Sequence, residues 1–483
     1  MATIKTAQNE YEIVIGLEIH AQINTKSKLF SHSNTVFGAE PNSQVSLVDS
    51  AMPGMLPILN REAIKKAAIT GYAINATVNP YSIFDRKNYF YADLPQGYQI
   101  SQFSDPIVTG GKVTIKDDEG NDKVINITRI HVEQDAGKSI HDQSPTHSFV
   151  DLNRSGVPLM ELVTEPEIRS AGEAADFVKK YRNILRYINT CGGDMEKGQL
   201  RCDANVSLRP VGREEFGTRC EIKNLNSTKN IQLAIDYEVE RQAKALDAGE
   251  EIRQQTRLFD VTTGETRVMR DKEDAHDYRY FPDPDLLPLE LSEAFLQEAK
   301  DSLPELPQQK KARYLDEGLT EYDAEVIIAD KDAATYFERL LGNCDTKLAV
   351  TWMTGELFGR LKKEDKTIAD SPISAEKLLG LIKQIETNVI SGKIAKDVLD
   401  KMLETGKEAE EIIESEGLKQ ITDDGAIIKI IDEVMVANDD KVQEYRSGKD
   451  KLFGFFVGQV MKATGGKANP GAVNKLLKEK LSA

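Results

Sequence analysis

The stretch "GLEIHAQ" places Glu18, His20 and Gln22 in alternation with Leu17, Ile19 and Ala21. Successive strand side chains point to opposite faces, so a carboxylate, an imidazole and an amide share one side. The pattern recurs three times. In "RIHVEQD" Arg129, His131 and Glu133 oppose Ile130 and Val132; in "RCDANVSL" Arg201, Asp203, Asn205 and Ser207 oppose Cys202, Ala204, Val206 and Leu208; in "RCEIKN" Arg219, Glu221 and Lys223 oppose Cys220 and Ile222. A solvated sheet face can carry similar residues. If the four faces instead line one concavity, the carboxylates repel one another unless cations intervene. Oxygen-rich Asp and Glu ligands suit Mg²⁺, which keeps waters and binds substrate phosphates, while the arginines and Lys223 suit anions. The pattern therefore points to phosphoryl chemistry. Glu161, in the apolar run "PLMELVTEPE", is either paired or neutral when buried, and both a structural and a functional role stay open.

The apolar faces of these strands are short and regular and must be buried against helices. Candidate helices lie at "NREAIKKAAITGYAINA", at "SAGEAADFVKKYRNILRYI", with a capping box from Ser170 to Glu173, and at "STKNIQLAIDYEVERQAKALDAG", ending at Gly249. Up to about residue 290 the text is strand-rich; beyond "YRYFPDPDLLPLEL" it is helical in period. The chain thus reads as α+β, with an antiparallel-sheet domain over residues 1–291, an all-helical domain over 292–405 and a small helical tail over 406–483. The 483 residues carry a net charge of −17, which argues against wholesale wrapping of nucleic acid and against DNA as a partner. The tail is the exception: residues 441–483 hold nine Lys or Arg against three Asp or Glu. Four scattered cysteines exclude a disulfide scaffold, and no apolar run is long enough to span a membrane. Neither a secretory signal nor a transit peptide is apparent, so a cytoplasmic location is expected.

Familiar signatures fail. "DAGKS" resembles the end of a P-loop, but the required glycine is replaced by Val132. No G-x-G-x-x-G opens a helix, and neither a serine elbow nor a glutaminase-type cysteine is present. Two aromatic clusters, "DRKNYFYADLPQGYQISQ" and "DYRYFPDPDL", mix Tyr and Phe with Arg, Lys and Asn; such loops either stack on bases or simply pack.

Together with "HVEQDAGKS", "DLNRSGVPLMELVTEPE", "GQLRCDANVSLRP", "EIKNLNS" and the terminal "GGKANP", these stretches resemble the GatB components of tRNA-dependent aspartyl/glutamyl amidotransferases over essentially the whole chain. The resemblance implies a cradle domain with an ATP-dependent kinase site, then a helical domain and a YqeY-like tail that grip tRNA. It implies that the side-chain carboxylate of Glu on tRNA(Gln), or Asp on tRNA(Asn), is phosphorylated by ATP. Ammonia from a partner amidase then displaces the phosphate. ATP and Mg²⁺ are the implied cofactors. The amidase GatA, the small protein GatC and misacylated tRNA are the implied partners; a membrane is not. Carried over by motif, Glu18, His20, Glu133, Glu161, Asp203 and Glu221 belong to the catalytic pocket, with Glu18, His20 and Glu133 as metal ligands. Arg201, Lys223, Asn205 and Lys138 are the expected ATP-binding residues, and Lys462, Lys467 and Arg446 the expected tRNA contacts. A catalytically silent tRNA-binding scaffold is the alternative.

Two departures from the family stand out. Many relatives read "EED" where this chain has Glu133-Gln134-Asp135, so a proton-accepting role at the second position must shift or be dispensable. Some relatives bind zinc through cysteines in the loop after the first strand; "INTKSKLFSHSNTVFGAEPNS" has no cysteine, and no zinc is expected.

Overall fold

The computed structural model describes residues 3–271, 277–421 and 423–482. The chain divides into two compact units, Met1–Pro307 and Gln308–Ala483. The first is built on an 11-stranded sheet. Its principal strands are β1 (Glu10–Gln22), β2 (Asp122–Gln134), β3 (Pro158–Thr164), β4 (Leu200–Pro210), β5 (Cys220–Leu225), β6 (Gln255–Asp260) and β7 (Glu265–Asp271). They lie in the order β7-β6-β5-β4-β1-β3-β2, continued by the short strands Val108–Thr109 and Thr77–Val78. Pairing along this order is antiparallel except between β5 and β6. That parallel pair refines the antiparallel expectation and has a simple cause. The chain leaves β5 through a long helix and must return along the same direction, a crossover no hairpin can make.

Three helices flank the sheet: α1 (Arg61–Ala73), α2 (Ala171–Tyr187) and α3 (Thr228–Asp247). Asn60, Ser170 and Ser227 cap them, each side chain accepting from backbone N–H groups of the first turn. At α2 the expected capping box is offset. Ser170 accepts from the Glu173 N–H, but the Glu173 carboxylate accepts from Arg169 N at 2.7 Å, one residue earlier. Gly249 adopts φ +75° just past α3, the left-handed stop that a glycine permits. The apolar strand faces, including Leu17 and Ile19 of β1 and Leu200, Cys202 and Val206 of β4, are 0–1% exposed. They share one core with Phe177 and Tyr181 of α2 and Ile231 and Ile235 of α3. Each fully buried Leu or Ile contributes about 1.5–3 kcal/mol. This core fixes the register, because a one-residue slip would turn the whole polar set inward.

The first unit runs past residue 291. The helix Glu293–Asp301 packs Phe295 and Leu296 against the sheet's core, and Glu298 accepts from Arg61 at 2.6 Å and Lys65 at 3.0 Å. The second unit is helical throughout its described elements. Its terminal part has its own core, in which Ile427, Ile431, Phe456, Val460, Val473 and Leu477 are buried together. Among the described residues, no helix is long and apolar enough to cross a membrane.

Candidate active site

Pairing in the sheet converts sequence alternation into a wall. Glu161 of β3 lies opposite His20 on one side and His131 on the other, while Arg201 of β4 faces His20 from the next strand. One step along, Asp203 lies opposite Glu18, and Asn205 opposite Glu221. The same-face residues of five adjacent strands therefore form one polar surface. Beneath it, the apolar faces rest on α2 and α3.

Two groups of metal-competent ligands stand on this surface: His20, Glu133 and Glu161, and, beside them, Glu18, Asp203 and Glu221, each with its ligand atoms within 4.8 Å of one another. The expected set of Glu18, His20 and Glu133 is thus divided between two groups. Glu18 and His20 are two residues apart on one strand, about 6.6–6.8 Å along it, and they lean toward different neighbours. In the first group His20 Nε2 is 3.2 Å from Glu161 and 3.9 Å from Glu133, and His131 Nε2 is 3.2 Å from Glu161 and 3.5 Å from Glu133. Burial alone would lower His131, but Glu161 and Glu133 outweigh it and raise it to about 9. Burial likewise opposes a charge on His20, and the bond to Glu161 again prevails, so its pKa also rises. Burial works against ionising Glu161, but the two imidazoles hold it well below the usual carboxylate range. The first group is therefore largely self-neutralised.

The second group is not. Lys223 Nζ lies 2.6 Å from Asp203 and 2.8 Å from Glu221, and Thr256 donates to Glu221 at 2.9 Å. Glu18 receives an amide N–H from Asn205 at 3.0 Å. Burial, followed by repulsion from Glu161, Glu221 and Asp203, pushes Glu18 above the usual carboxylate value. A carboxylate raised in this way lacks counter-charge, and a divalent cation would supply it. Three carboxylates and no imidazole suit a hard ion such as Mg²⁺ better than the histidine-containing group does. The donor set fits the metal.

A cleft of about 500 Å³ opens on this wall, lined by His20, Glu133, Arg201, Asp203 and Lys223. Beyond these, it brings in residues the strand pattern did not single out: Lys87, Tyr89, Gln99, Asp135, Asn224 and Asn226. Lys87, Tyr89 and Gln99 arrive on or beside a separate three-stranded sheet of Asp85–Asn88, Tyr98–Ser101 and Phe281–Pro282. Ser101 donates to Glu133 at 2.9 Å, and Gln99 to the Gln134 carbonyl at 2.7 Å, so this sheet closes over the Glu133 end. Their only signal in the sequence was the aromatic motif around them. Asp135 is buried and accepts from Arg201 at 3.0 Å and from Gln22 at 2.9 Å, which gives Gln22 a partner. Burial disfavours its charge, but Arg201 and Arg154 hold its carboxyl below the usual range. Glu18 and Asn205 are not in the lining of this cleft but border a second cavity of about 510 Å³, together with Arg219, which precedes β5.

Other expected residues stand elsewhere. Lys138 is exposed on a two-stranded ribbon pairing Lys138–Ile140 with Phe149–Asp151, and it does not line the cleft. Gly137 ahead of it is held by its N–H to the Asp93 carbonyl at 2.9 Å, in a backbone arrangement unlike a phosphate loop. In the second unit, the Arg446 guanidinium donates to the carbonyls of Leu481 and Lys480, both at 3.3 Å, and so caps the last helix. Lys467 donates to the Gly417 carbonyl at 2.7 Å, whereas Lys462 is exposed and makes no such bond among the described residues.

Residues 13–297 match the GatB/GatE catalytic domain, and residues 335–481 match the GatB domain. The chain is similar to proteins named as the B component of aspartyl/glutamyl-tRNA(Asn/Gln) amidotransferase. That of Rickettsia bellii (strain RML369-C) is 60% identical over the full length of both chains. Those of Wolbachia pipientis wMel and of the Wolbachia of Culex pipiens (strain wPip) are 60% and 61% identical over 98% of this chain and 99% of theirs. The first match takes in the wall residues from Glu18 to Lys223, and the identity runs on through the helical unit. This chain belongs to the GatB family of amidotransferase subunits.

Proposed function

We propose that the chain is the tRNA-dependent amidotransferase component that activates the side-chain carboxylate of Glu-tRNA(Gln) or Asp-tRNA(Asn) with ATP. The activated acyl group is then amidated by ammonia that a partner amidase releases from glutamine, in a complex completed by a small third protein. The observation that carries this reading is the under-compensated trio Glu18, Asp203 and Glu221 beside Lys223 and Arg201 on one wall. It offers carboxylates for a cation and cations for phosphate side by side, with Asp203, Lys223 and Arg201 lining the cleft itself. The trio would hold Mg²⁺, which, when bound, neutralises phosphate charge and orients its oxygens. Lys223, kept protonated because Asp203 and Glu221 outweigh its burial, and Arg201, kept in place by Asp135, face the phosphates of ATP. A carboxylate is a poor electrophile; phosphorylation gives it a leaving group that ammonia can displace. The basic tail supports the reading that the second unit meets tRNA.

The test is ATP-dependent conversion of Glu-tRNA(Gln) and Asp-tRNA(Asn) by the chain purified with its partner proteins. Glu18→Ala and Asp203→Ala should abolish amide formation while free-glutamine hydrolysis continues. Full transamidation by either variant at saturating Mg²⁺ would rule out this pocket.

A further inference from the structure

Two adjacent cations on the strand Asp85–Asn88 have opposite surroundings. Arg86 is fully engaged: it donates to Asp283 at 2.8 Å and to Asp285 at 2.9 Å, and it lies 4.2 Å over the Tyr98 ring. Lys87, one residue on, points to the other face and into the cleft. Its side chain is mostly buried between the rings of Tyr278, at 5.0 Å from Nζ, and Tyr89, at 5.9 Å. Among the described residues its ammonium makes no hydrogen bond or ion pair. Glu133, across the cleft, is already served by Ser101, His131 and His20. Burial would lower the Lys87 pKa, but the field of Glu133 reverses this, and the group stays charged. A desolvated ammonium with no partner costs stability, and it persists where a ligand completes it.

We propose that Lys87 is a catalytic residue that grips the side-chain carboxylate of the aminoacyl substrate at the Glu133 end of the cleft.

This rests on the reading above, and the layout of the cleft favours carboxylate over phosphate at this end. Lys223 stands on β5, and four inter-strand steps, about 19 Å, separate β5 from β2, while the Arg201 guanidinium lies between them, held by Asp135 just past β2. That length accommodates a nucleotide's phosphates at one end and an acceptor at the other, with the carboxylate approaching in line. A single ammonium between two aromatic rings matches a flat monoanion better than a tetrahedral polyanion. In the step, a carboxylate oxygen forms a bond to the γ-phosphorus. The bond from that phosphorus to the ADP oxygen breaks, and ADP leaves with the electron pair. No proton moves; Lys87 stays protonated and pairs with the oxygen that does not attack.

The test uses the complete complex and one tRNA charged either with the acid or with the matching amide, Glu against Gln or Asp against Asn. Dissociation constants are measured for both, with and without a non-hydrolysable ATP analogue. The wild type should prefer the acid-bearing tRNA. Lys87→Met should bring the two affinities to within about twofold, Lys87→Arg should restore the preference, and analogue affinity should stay unchanged. Should Lys87→Met fail to fold, as its melting curve would show, Lys87→Gln is read by the same criteria. A preserved preference in the neutral variant, or a loss of analogue affinity instead, overturns the proposal. Absence of ATP-dependent amide formation by the wild-type complex would instead defeat the underlying reading of function.

Discussion

The side of the sheet remote from the cleft holds a charge on which the site's geometry depends. Glu238 of α3 is fully buried. Its carboxylate accepts from Arg241 at 2.6 and 2.9 Å, from Gln242 at 2.9 Å and from Thr266 at 3.1 Å, with Arg257 at 3.3 Å. Gln242 in turn donates to the Val206 carbonyl of β4, the strand that carries Asp203. Glu238→Gln keeps the volume and one acceptor but removes the charge, leaving two guanidinium groups without their carboxylate. Breaking a buried pair in this way costs about 3–5 kcal/mol; with one acceptor retained, the expected loss lies near the lower end. In urea, with m of about 3 kcal/mol/M, the midpoint should fall by about 1 M at pH 7, followed by far-UV circular dichroism. The pH dependence has a definite sign. Burial raises the Glu238 pKa, but its bonds to Arg241 outweigh that and hold it below the ordinary 4.5. Its contribution is therefore complete above about pH 4.5 and is lost as the pH falls through the lower folded-state value. The gap between wild type and Glu238→Gln should be constant from pH 8 to 6 and shrink only in acid. A midpoint shift under about 0.3 M, or a gap that widens in acid, would refute the reasoning.

Gly71→Ala should destabilise the first unit by about 1–3 kcal/mol, because the added Cβ would lie 2.9 Å from Val108 Cγ2 and 3.0 Å from Val78 Cγ2; urea unfolding reads it. Arg446→Ala should cost about 1 kcal/mol, roughly 2–4 °C in melting temperature, by uncapping the last helix. Lys462→Ala should leave the melting temperature unchanged and weaken tRNA binding with a reduced salt dependence, read by filter binding across a salt series.

Strand periodicity made much of the wall legible. Glu18, His20, Glu133, Asp203 and Glu221 were found because alternation survives in any register. What alternation leaves undefined is the neighbour. That Glu161 falls between two histidines, and that Glu18 sides with Asp203 rather than with His20, depends on strand order, which pairs β1 with segments far along the chain, Glu161 against His20 and Asp203 against Glu18. Lys87 lay hidden because its strand has four residues and belongs to another sheet, joined to the wall through such contacts as those of Ser101 and Gln99. Asp135 escaped because it follows the last residue of β2, where strand parity no longer speaks. Basic composition in the tail identified charge but not availability: Arg446 is occupied by helix carbonyls and Lys467 by the Gly417 carbonyl, contacts that no local pattern encodes.

The central place of β1 has a consequence in time. It leaves the ribosome before both of its long neighbours, and one of them, β4, ends at Pro210, 188 residues after Gln22. At translation speeds of about 5–20 residues per second, β1 waits roughly 10–40 s for that edge to be covered. The sequence answers this delay with its polar face: the same Glu18, His20 and Gln22 that stand on the wall make one side of the waiting strand unattractive to other chains. Selection on nascent-chain solubility and selection on the site therefore act on the same residues. Replacing them with apolar side chains should reduce the yield of soluble protein before it reduces the stability of whatever folds.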